Sequence, residues 1–151
     1  MIFELLLALG LFYGALNIPT TKTISPELPP QVQQSLSDIQ ETYHLVLTKL
    51  NEQYPNATPR ETRIRVFPTK SVSRIVNKSQ IYLCVQRPNG ELYDRNTITR
   101  AAIHELAHLL CGDENHTPSF YILEEELLSI AQRLGRYNPR MEVATDYPCI
   151  Y

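Results

Sequence analysis

Three of the chain's four histidines, His104, His108 and His116, fall within thirteen residues. The first two bracket His104-Glu105-Leu106-Ala107-His108, an HExxH pattern. On a helix, residues four apart stand one turn up on the same face. Two imidazoles so placed can converge on one Zn²⁺ at about 2.0–2.1 Å each. Glu105 falls roughly a quarter-turn round, too far to ligate easily but placed to touch a water on the metal. There it would take a proton as the water attacks a carbonyl and hand it to the leaving amine. The chemistry expected is zinc-assisted hydrolysis of peptide bonds, with Glu105 as the catalytic base.

A catalytic zinc wants a third protein ligand and one open position. Cys111 shares the face of His104, but seven residues at ~1.5 Å each put it about 10.5 Å along the axis. Glu124, Glu125 and Glu126 offer a carboxylate, although their run reads equally as a solvated face. His116 follows Gly112, where the chain can double back, and directly precedes another helix start. His104, His108 and His116 are the favoured metal ligands, with a glutamate at 124–126 as the alternative. Tyr121, Tyr137 and Tyr147 are candidate donors to an oxyanion, and the sequence does not choose among them. A peptide could be aligned by strand addition along Arg63–Arg65 or Glu91–Tyr93. His44 reads as a surface histidine and Cys84 as a small core residue.

The elements that must hold these residues follow from periodicity. Val32, Leu36, Ile39, Tyr43, Val46, Leu47 and Leu50 recur at three and four residues, an amphipathic helix over 31–52. Ile64 and Val66 alternate with Arg63 and Arg65, a half-buried strand over 62–68. QIYLCVQ at 80–86 is a second, more buried strand, and Pro88-Asn89-Gly90 is hairpin chemistry leading to a short third strand at 91–93. Asp94 or Asn96 can cap a helix over 97–111, ended by Gly112. Thr117-Pro118 opens a further helix with Phe120, Leu123, Leu127, Ile130 and Leu134 on one stripe, stopped at Gly135. The expectation is a small α+β layer fold, closed by an irregular tail.

Residues 2–18, IFELLLALGLFYGALNI, are apolar except for Glu4 and Asn17. They are expected to form an N-terminal single-pass membrane anchor, with cleavage as a secretory signal the alternative. Residues 19–30 read as a proline-rich tether, and 31–151 as the domain. The length of 151 residues suits one such domain. Three cysteines, at 84, 111 and 149, are too few and oddly numbered for a disulfide scaffold. Residues 60–100 hold nine Lys/Arg against three Asp/Glu, net +6, inside a chain of net charge -2. That basic middle keeps nucleic acid open as a partner. Its plainer reading is that Arg63, Arg65, Lys70 and Arg74 lie on the wet face of an edge strand and its loop.

The run from Ile81 to Leu128, IYLCVQRPNGELYDRNTITRAAIHELAHLLCGDENHTPSFYILEEELL, resembles the WLM-type zinc metallopeptidases, relatives of the SprT-like proteases. It is most similar to the compact, often N-terminally anchored versions found in large eukaryotic DNA viruses. The resemblance covers roughly 62–135. It implies a zincin-like fold and a viral metalloprotease acting on protein or peptide, in a host or virion membrane if the anchor holds. It also implies His104, His108 and His116 as ligands, Glu105 as base, and Phe120 as the aromatic packing the second helix against the site. Cellular members cut proteins crosslinked to DNA, so a protease of DNA-linked proteins is one rival. The other is a non-catalytic zinc-stabilised interaction module.

Overall fold

The computed structural model describes residues 27–57, 64–112 and 115–148. Helix α1 spans Pro30–Gln53, with proline in its first turn. Its three-four stripe is buried as the spacing predicts: Val32, Leu36, Ile39, Tyr43, Val46, Leu47 and Leu50 all enter the core. Truncating any one of the leucines to alanine there costs about 2–5 kcal/mol.

The sheet is three-stranded, with β1 at Arg65–Thr69, β2 at Arg74–Val76 and β3 at Gln80–Cys84. The order is β1-β3-β2; β1 runs parallel to β3 and β2 antiparallel to it. The third strand expected at 91–93 is not one. Gln86 and Leu92 make a single isolated bridge there, because the chain must turn at once into the helix capped by Asp94. The strand that does form, β2, is joined to β3 through Asn77 and Lys78, both at left-handed φ (53° and 55°). Neither is glycine, so the turn carries little sequence signature; asparagine tolerates that region through its short polar side chain.

Alternation along the strands sorts their side chains by face. Val66, Ile75, Ile81 and Leu83 join the same core cluster as the helices. On the opposite face Phe67, Tyr82 and Arg74 occupy one register row across all three strands. The two rings stack at 5.2 Å between centroids, and the Arg74 guanidinium lies 4.7 Å from the Tyr82 centroid. Arg65, Lys70 and Arg74 are exposed, as the wet-face reading expects, and Arg63 lies outside the described residues.

Helix α2, Arg95–Cys111, is the central element. Ile98, Ala101, Ala102, Ile103, Leu106 and Ala107 are all buried, and three small alanines allow the neighbouring helices to approach closely. The Asp94 carboxylate accepts from the Thr97 N–H (2.8 Å) and hydroxyl (2.6 Å) at its start. Gly112 ends it at φ 68°, a conformation open to glycine without steric cost. Helix α3, Pro118–Arg133, starts under the Thr117 cap, whose hydroxyl accepts from the Phe120 N–H at 3.3 Å.

The tail beyond α3 is irregular but pinned. Tyr147 is buried, donates to the Cys84 carbonyl at 2.7 Å and lies 3.0 Å from the Ser73 hydroxyl. The Ala144 N–H donates to the Thr97 hydroxyl, and the Asn138 N–H to the Asn96 side chain.

The membrane localisation expected from the sequence is corrected by the helices themselves. No helix among the described residues is long and apolar enough to cross a membrane. The longest, α1 at 24 residues, carries Asp38, Glu41, Lys49 and Glu52 around its apolar stripe. The proposed anchor at 1–18, and the tether as far as residue 26, fall outside the described residues.

Candidate metal centre

One turn of α2 separates His104 from His108, and the Gly112 turn returns the chain so that His116 meets both. The Nε2 atoms of the three rings lie 3.2 Å (104–108), 3.1 Å (108–116) and 3.2 Å (104–116) apart. Donors at about 2.05 Å from a shared tetrahedral centre stand about 3.3 Å from one another, so this triangle has the dimensions of a three-imidazole zinc site.

The chemistry of the donors points the same way. A ring nitrogen is either an N–H donor or a lone-pair acceptor, never both. Three such atoms in mutual contact therefore cannot all be matched: at least one pair is donor against donor or acceptor against acceptor. A cation accepted by all three lone pairs removes that conflict. The three histidines form a group that could hold a metal ion.

Burial grades outward from His104, which is 7% exposed, through half-buried His108 to exposed His116. The cluster therefore has a protein side and an open side. Phe120, fully buried, forms its floor, with centroid distances of 5.1, 4.3 and 5.0 Å to the rings of 104, 108 and 116.

Glu105 is 7% exposed, and burial pushes its carboxyl above the usual carboxylate range, partly offset by the neighbouring His104. Glu124, expected to be a solvated carboxylate or an alternative ligand, is neither. It is buried on α3, and its Oε1 lies 2.8 Å from Nδ1 of His104, not at the Nε2 triangle. Arg100 Nη1 donates to the same oxygen. Burial alone would raise this carboxyl, but the hydrogen bonds from His104 and Arg100, together with the charge of Arg100, take it down to about 2. Glu125 is exposed, and Glu126 accepts from the Tyr54 hydroxyl. Arg100, one turn before His104 on the same face, is the residue that sequence reasoning passed over.

The remaining candidates separate clearly. Cys111 is half-buried and outside the donor triangle. Cys84 is a buried core thiol, Cys149 lies outside the described residues, and His44 is exposed on α1. Of the three tyrosines, the Tyr147 hydroxyl is committed to Cys84 and Ser73, and Tyr137 packs against the core. Tyr121 stands beside the site, 48% exposed, its ring 5.9 Å from that of His116.

No protein-family model matches the chain. It is 38% identical over 76 residues, half of its length, to the uncharacterized protein 042R of Invertebrate iridescent virus 3; it spans about half the length of that relative. It is 30% identical over 112 residues to the endoribonuclease YbeY of Ehrlichia ruminantium, covering 70% of this chain and 69% of that protein. Among solved structures, it is similar to the metallopeptidase zymogen of Pyrococcus abyssi abylysin, with a TM-score of 0.41 and 23% identity over 68% of this chain and 97% of that one. That likeness is too loose to bear on activity.

Proposed function

The chain belongs to the family of the endoribonuclease YbeY, and from the histidine triangle we propose that it is a zinc-dependent hydrolase whose substrate is a peptide bond. The observation that carries the proposal is the meeting of three Nε2 atoms within 3.2 Å of one another, with the buried Glu105 next to His104 on the same helix. The resemblance of 81–128 to WLM-type metallopeptidases belongs to the same proposal.

His104, His108 and His116 hold the ion, and zinc bound there supplies Lewis acidity toward a carbonyl and lowers the pKa of water. Glu105 accepts the proton of the attacking water. Once protonated, it can return that proton to the departing amine, which must be protonated to leave. Phe120 closes the floor and keeps bulk water from the inner side of the rings. Tyr121, whose exposed ring lies 5.9 Å from that of His116, is the tyrosine we assign as donor to a developing oxyanion.

Charge favours protein over nucleic acid at this centre. Residues 101–151 hold eight Asp/Glu against three Lys/Arg, and Glu124, paired with Arg100, lies against His104. A polyanionic backbone entering there meets like charge.

A second reading, hydrolysis of RNA, has two observations in its favour: the name of the Ehrlichia relative, and the basic-aromatic row Phe67–Tyr82–Arg74 with exposed Arg65 beside it. Aromatic faces joined with basic side chains are a general platform for single strands. The test is side by side: zinc-loaded full chain with an unstructured protein, and with single-stranded RNA. Cleavage of the protein alone, abolished by Glu105→Gln, is the expected result; cleavage of RNA alone would establish the second reading.

A further inference from the structure

The histidine triangle has a support that reaches back into the protein. Oε1 of Glu124 is 2.8 Å from Nδ1 of His104 and accepts from Arg100 as well. Glu124 is 4% exposed, and it occupies the buried stripe of α3, four residues after Phe120 and three before Leu127. Its neighbours in the acidic run point elsewhere, Glu125 to solvent and Glu126 to Tyr54.

The geometry points to Glu124 as a positioning residue for the metal centre, one that fixes His104 in the tautomer with its proton on Nδ1 and its lone pair on Nε2. A carboxylate held by a guanidinium is an acceptor only, so the hydrogen between it and the imidazole belongs to Nδ1. The other ring nitrogen is then aimed, unprotonated, at the Nε2 atoms of His108 and His116. Arg100, half-covered on α2, holds the carboxylate in place. The histidine ring is thereby fixed in both proton position and orientation before any metal arrives, which is how such partners raise metal affinity. This inference rests on reading the three histidines as ligands.

An Arg100–Glu124 pair that only joined α2 to α3 would affect stability and leave His104 alone, so the test reads the imidazole directly. Long-range ¹H–¹⁵N correlation on the metal-free full chain should show His104 protonated on Nδ1. Glu124→Gln, which keeps the shape, should fold and show a mixture of the two tautomers. Zinc affinity, measured by competition with a chelating dye, should fall ~10–100-fold in Glu124→Ala and by less in Glu124→Gln. Should Glu124→Ala fail to fold, the Gln variant carries the comparison through both readouts. A wild-type chain with His104 protonated on Nε2, or variants that bind zinc within twofold of wild type, would overturn the inference alone. A wild-type chain that takes up no zinc would overturn the metal reading itself, and this inference with it.

Discussion

The ring of Phe120 lies 4.3 Å from that of His108 at an interplanar angle of 31°, packed beneath all three histidines at once. One side chain from the first turn of α3 thus sets the depth of a cluster contributed mainly by α2. Phe120→Ala should cost about 3–5 kcal/mol of stability and weaken zinc binding, because the rings lose their common floor. Phe120→Leu should recover most of the stability. Denaturant melts with parallel zinc titrations check both; a Phe120→Ala chain of unchanged stability would contradict this packing.

His116 is the most exposed of the three histidines and is set by a turn rather than by α2. His116→Ala should therefore leave the metal-free melting midpoint nearly unchanged while lowering zinc affinity by at least tenfold. His104→Ala, which also strips Glu124 of a partner, should lower both. Equal stability losses in the two variants would contradict the gradient of burial across the cluster.

Tyr147 tests the assignment of the tyrosines. Its hydroxyl donates to Cys84 and meets Ser73, and burial raises its pKa well above the usual phenol range. Tyr147→Phe should cost about 1–3 kcal/mol through unsatisfied buried partners without changing turnover per folded molecule. Tyr121→Phe should do the reverse, lowering kcat with little loss of stability. Turnover normalised to folded fraction separates the two.

Asp94 supplies a pH signature away from the metal centre. Burial alone would raise its carboxyl, but hydrogen bonds from the Thr97 hydroxyl and from backbone N–H groups outweigh that and lower it. A carboxyl depressed in the folded state stabilises above its unfolded pKa, about 3.9, and loses that contribution as pH falls through the folded value. Asp94→Asn keeps a capping oxygen but no charge. It should be less stable than wild type at neutral pH and converge with it below about pH 4. A stability difference that stays constant down to strong acid would contradict this.

Much of the architecture is readable from local chemistry. The Asp94 and Thr117 caps, the Gly112 stop and the stripes of α1 and α3 are short-range signals, and each element appears within about two residues of its expected bounds. What escaped is set by partners distant in sequence. Strand β2 is three residues long and owes its existence to β3, whereas the better turn chemistry at Pro88-Asn89-Gly90 yields only one bridge. The pinning of Tyr147 by Cys84, 63 residues away, has no periodic signature. Glu124 lay between these cases. Its place in an acidic run suggested solvent, while its phase on the Phe120–Leu127 stripe, the signal that held, put it inside.

The central claim, three imidazoles gathered around one cation with a corner left open, is tested most directly by X-ray absorption at the zinc edge of the loaded chain. The account predicts one zinc per chain, with three imidazole nitrogens and one oxygen at about 2.0–2.1 Å, and the same spectrum in Glu105→Gln. A sulfur scatterer at about 2.3 Å, fewer than three imidazoles, or a chain that retains no zinc would contradict it.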